Sequence, residues 1–167
     1  LTRVEDAGLN RFVADRPQVL DDGDWPARLN VPWRHHGTNM TLAEVDELSQ
    51  RIDLDALHAY AQAVQARTRA IVSTLDAATL DSTPDEAHLR HVMIAEGLAH
   101  SHADAFVQNY LGWSRGKCLL TFGLTHAYQH LGEMEVLAGL VGVDFGQRPW
   151  LHAGVDRRHV AGAAGYC

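Results

Sequence analysis

Apolar residues recur three and four positions apart along most of this chain, and no stretch of useful length alternates apolar with polar residues. That pattern predicts helices and no sheet. Leu1, Val4, Leu9, Phe12 and Val13 stand among polar neighbours and predict a helix from Leu1 to Ala14, ended by Arg16-Pro17. Residues 17–40 are rich in Pro, Asp and Gly and read as a loop, with Trp25 and Trp33 as anchors that order it on the body. Thr41 and Glu44 have the spacing of a capping box, which starts a short helix running to about Arg51. Asp53 caps a long helix over 53–76, with a core-facing stripe through Leu54, Leu57, Ala61, Val64, Thr68, Ile71, Val72 and Leu75. Pro84, as a first helical residue, opens a helix over 84–96, and another spans 102–111 and stops at Gly112. The last long helix covers 116–141, with Gly142 as its left-handed stop. The expected class is all-α, and long antiparallel helices suggest a bundle. Residues 1–142 form the expected helical domain. Residues 143–167, Gly- and Ala-rich, read as an extension packed on it and held by Trp150 and Tyr166.

Composition narrows the function. A chain of 167 residues favours one domain and buries about 70% of its unfolded surface without disulfide staples. No apolar run reaches the ~18 residues that a membrane-spanning helix needs. The formal net charge is -7, from 14 basic and 21 acidic side chains. No basic patch is visible, which argues against a nucleic-acid partner. Cys118 and Cys167 are too few for a secreted disulfide framework, and no charged-then-apolar leader stands at the front. The expected compartment is the cytoplasm.

The chain holds 11 histidines, and histidine is both the commonest metal ligand and the usual acid–base group near neutral pH. The informative pair lies in Thr125-His126-Ala127-Tyr128-Gln129-His130-Leu131-Gly132-Glu133. On a helix His126, His130 and Glu133 share one face, and Leu137 and Leu140 continue it toward the expected core. Two imidazoles at this spacing can converge on one divalent ion, or be two hydrogen-bonded core or interface histidines. Position 127 is Ala, so this is not the metalloprotease motif with Glu after the first His. His88 with His91, and His100 with His102, read better as solvated faces. His35 and His36 are adjacent on an extended loop, so their side chains diverge and do not share an ion. His58 is expected to snorkel beside the long stripe. Cys118, near the start of the last helix, is a small core residue or a nucleophile with a lowered pKa.

The segment His126 to Glu133, followed by Val136-Leu137-Ala138-Gly139-Leu140-Val141-Gly142, resembles the last helix of the DinB-like superfamily, particularly its actinobacterial branch. Thr41 to Val45, Asp53 to Tyr60, Leu1 to Asp6 and Arg16 to Trp25 are similar to other family segments. The resemblance implies an up-down-down-up four-helix bundle, frequent homodimers, and a three-histidine site for zinc, nickel or a similar ion. His126 and His130 match two of its metal ligands. The first ligand, with the first helix, is expected immediately before Leu1; otherwise Glu133 or a loop histidine takes its place. Some members use a thiol cofactor for transfer or isomerisation. Lys117 is the lone lysine among 14 basic residues, and Ala is abundant; both suit a GC-rich actinobacterial source, where the thiol is mycothiol.

Three functions follow. The first is a divalent-metal-dependent enzyme, a thiol-dependent transferase or isomerase acting on a small molecule. The second is a non-catalytic small-molecule-binding bundle. The third is a metal-independent enzyme of specialised metabolism that uses the histidine pair for acid–base work.

Overall fold

The computed structural model describes residues 1–143, and the secondary structure of these residues is entirely helical. The chain divides into two units, Leu1–Tyr128 and Gln129–Cys167. The extension expected after Gly142 lies, from residue 144 on, outside the described residues, together with Trp150, His152, His159 and Tyr166.

Side-chain caps set most of the helix starts. Helix α1 (Thr2–Ala7) runs directly into a π-helical turn, Gly8–Val13. After a 3-10 turn at Val19–Asp21, helix α2 (Trp25–Arg28) interrupts the stretch expected as loop. The Thr41–Glu44 capping box is present and starts α3 (Leu42–Arg51). Asp53 accepts the Ala56 N–H at 2.8 Å and starts α4 (Leu54–Val72). That helix ends earlier than the expected 76, because Asp76 caps the separate α5 (Ala77–Asp81). Asp85, not Pro84, precedes α6 (Glu86–Arg90): its carboxylate accepts the His88 N–H at 2.7 Å. A second π turn, His91–Ala95, continues α6. Helix α7 (Ala103–Tyr110) follows, and Gly112 stops it at φ +78. Ser114 caps α8 (Arg115–Leu120), a third π turn covers Thr121–Thr125, and α9 (His126–Leu140) ends before Gly142 at φ +73.

Within Leu1–Tyr128 the buried residues form two groups. The larger joins Leu9, Phe12, Ile71, Val92, Val107 and Phe122, drawn from distant helical segments. The smaller seats Val19, Leu20, Trp25 and Leu29 on Tyr60 and Val64 of α4. Of the stripe expected on α4, Val64 and Ile71 are buried, whereas Leu54 is 70% exposed. Tyr60, absent from that stripe, is fully buried.

In Gln129–Val143, Leu137 and Leu140 are exposed, not core-facing as expected; only Ala138 is buried. The apolar residues of this segment define no single face, because Leu131, Met134, Val136 and Leu140 spread over all sides of α9. Apolar character alone does not place a residue inside. No helix among the described residues is long and apolar enough to cross a membrane.

Candidate functional site

Three π turns meet at one cavity of about 240 Å³ in the first unit. Gly8 and Phe12 come from the first turn, Met93 from the second, and Thr121 and Phe122 from the third. A π turn holds one residue more per hydrogen-bonded ring than an α turn. Its bonds skip five residues, as in Ala14 N–H to Leu9 O at 3.0 Å and Glu96 N–H to His91 O at 3.0 Å. Such turns widen a helix locally and recur at functional sites.

One wall is aromatic. Phe122 lies with its ring centroid 5.7 Å from Phe12, 5.5 Å from Tyr110 and 6.3 Å from Trp113. Burial raises the Tyr110 phenol above its ordinary pKa, so at neutral pH it keeps its proton. The polar side chains of the lining include His36, Thr38, Asn109, Thr121 and His126.

Of the residues expected at the site, His126 is among those that line this cavity. His130 and Glu133 belong to the second unit, where the His130 Nδ1 and Glu133 Oε2 are 2.6 Å apart. A carboxylate accepts, so this bond puts the proton on Nδ1 and makes Nε2 the lone-pair nitrogen of the neutral ring. The Glu133 carboxylate, expected as an alternative third ligand, is thus engaged with His130.

Adjacent His35 and His36 do diverge. The His35 ring lies 4.6 Å from that of His100, whose Nε2 is 2.8 Å from Glu44 Oε1. Burial, then the neighbouring His100, lowers the His35 pKa. His36 goes instead to the cavity and packs edge-on against Phe106 at 5.3 Å. Burial, aided by the neighbouring His35, Arg3 and His126, pushes its pKa down to about 4, so its ring is neutral at pH 7. No sequence signal singles out His36; only the rule that neighbours on an extended chain point apart sends one of the pair inward.

Three more of the described histidines lie away from this cavity. His88, expected on a solvated face, is partly buried and donates to the Arg11 carbonyl at 2.7 Å, while His91 is 61% exposed. His58 is exposed and pairs with Gln62 at 2.9 Å.

Cys118 is a core residue. It is 1% exposed, and burial pushes its thiol up to about 11, the reverse of what a nucleophile needs. In a Cys167→Ser background, Cys118 should resist iodoacetamide at pH 8 in folded protein and react on addition of guanidinium, as read by intact mass. Rapid alkylation of the folded protein would reinstate the nucleophile.

Among the described residues, no three His, Cys, Asp or Glu side chains come together to hold a metal ion. The described donor set is therefore short of the three-histidine centre that the resemblance implies. Compared with known proteins, the chain matches no family model, no curated protein and no solved structure.

Proposed function

We propose that this chain is a DinB-like helical bundle that holds a small apolar molecule in the cavity of its first unit, with His126 exchanging a proton with it. One observation carries this reading: three π turns and two imidazoles converge on one largely apolar cavity. An apolar pocket with a few convergent polar groups is the usual form of a small-molecule site. Imidazole there is suited to general acid–base work. This is the metal-independent reading of the histidines.

The metal-dependent, thiol-using transferase or isomerase is the second reading, and one observation favours it. The His130–Glu133 bond sets the tautomer that a metal-bound histidine commonly has.

Ethylbenzene, followed by saturation-transfer NMR, tests the choice. The first reading expects binding that survives exhaustive dialysis against EDTA. It also expects binding to fall at least tenfold in Asn109→Trp, which fills the cavity from an exposed position. No binding to the wild-type chain, or binding unchanged in Asn109→Trp, overturns the site. Binding lost with about one equivalent of metal on dialysis selects the second reading.

A further inference from the structure

His36 carries a hydrogen-bond donor for which the protein supplies no acceptor. The Thr38 backbone N–H donates to the His36 Nδ1 at 3.2 Å. An N–H cannot donate to a protonated nitrogen, so in the neutral ring the hydrogen sits on Nε2. That Nε2 is buried and has no hydrogen-bond partner. Buried polar groups are nearly always satisfied, and an exception calls for an absent partner. Here the ring forms part of the wall of a cavity.

Resting on the small-molecule reading of this cavity, we infer that its ligand is an aromatic molecule bearing a carbonyl oxygen, which accepts the His36 Nε2–H while its ring lies against Phe12, Phe122 and Trp113. The aromatic wall supplies offset and edge-on surfaces that suit a ring. The described lining holds no Lys or Arg, and Arg3, whose charge is felt at His36, is already bonded to Asp6, Gln18 and the Arg34 carbonyl, so a carbonyl is favoured over a carboxylate. The same tautomer makes Nε2 the wrong nitrogen for a metal, which needs the lone pair there. His36 is thus a ligand anchor and not the missing loop ligand of a metal site.

Acetophenone and ethylbenzene have nearly the same shape and differ in one acceptor. Acetophenone should bind about fivefold more tightly, the usual worth of one buried hydrogen bond. Benzoate should bind more weakly than acetophenone. His36→Phe should bring acetophenone down to ethylbenzene while leaving ethylbenzene unchanged, and His36→Gln, with an amide N–H in the place of Nε2, should restore the preference. Nitrogen-15 NMR of the free wild-type protein should report the Nε2–H tautomer for His36, and this readout needs no variant to fold. Equal affinity for acetophenone and ethylbenzene, tighter binding of benzoate, or an Nδ1–H tautomer overturns the inference and leaves the cavity reading standing. Failure of both acetophenone and ethylbenzene to bind removes the cavity reading and the inference with it.

Discussion

Asp6→Ala should lower the stability of the chain by about 3–5 kcal/mol, the largest single loss expected here. Asp6 is fully buried on α1. Its Oδ1 accepts the Val19 N–H at 2.8 Å and the Asn10 side-chain amide at 2.8 Å. Its Oδ2 accepts the Leu20 N–H at 3.0 Å, the Tyr60 hydroxyl at 2.5 Å and the Arg3 guanidinium at 3.3 Å. One carboxylate thereby ties α1 to the turn at Val19–Asp21 and to α4. Arg3 adds a 2.8 Å bond to the Gln18 side chain, which is itself 1% exposed. Truncation leaves two backbone amides and a phenol facing a void, deprived of both water and acceptor, and removes the carboxylate partner of Arg3. The cost of a buried unpaired donor is what makes such losses large. Asp6→Asn keeps the shape but turns an N–H toward other donors, so it should also destabilise. Asp55→Ala, on the exposed face of α4, should stay within about 0.5 kcal/mol. Urea unfolding of the three variants checks the order, and an Asp6→Ala midpoint equal to that of Asp55→Ala would show that the network carries no stability.

Where the sequence is legible and where it is not follows from the range of the interactions. Caps are local: Thr41 with Glu44, and Asp53 with Ala56, act over three residues, so the starts of their helices can be read directly from the chain. Gly112 and Gly142 have the positive φ that their stop positions demand. The π turns are another matter. Each inserts an extra residue into a helical ring, which rotates everything beyond it by about 100° relative to a continuous wheel. The expected helix 116–141 contains one at Thr121–Thr125, so Cys118 and His126 cannot be phased from a single wheel. Asp6 reads in sequence as one more polar residue between Glu5 and Ala7. Its partners Val19, Leu20 and Tyr60 lie 13, 14 and 54 residues away, beyond any local pattern. His126 stands out in the sequence because its spacing to His130 is local. His36 does not, because its meaning comes from a cavity built by distant segments.

Gly8→Ala separates local propensity from packing by the sign of its effect. Gly8 has φ -59 and ψ -50, a helical conformation open to any residue. Propensity alone then says that Ala should stabilise by about 1 kcal/mol. The surroundings say the opposite. A Cβ on Gly8 would stand 2.4 Å from the Phe122 Cβ and 2.5 Å from its Cγ. Those atoms sit at the root of the side chain, where no rotamer change moves the Cβ away. The ring beyond them is held among Phe12, Tyr110 and Trp113. Relief therefore requires the first and third π turns to part, and overpacking of this kind costs about 1–3 kcal/mol. The same movement displaces the aromatic wall, so acetophenone and ethylbenzene should both bind several-fold more weakly, with their ratio preserved because His36 is untouched. Gly132→Ala, where an added Cβ meets nothing within 4 Å, is the control that shows propensity alone and should not fall in stability. Thermal unfolding of the two variants beside the wild-type chain decides it: a Gly8→Ala melting temperature at or above wild type would mean that the close approach of the π turns at Phe122 does not constrain the fold.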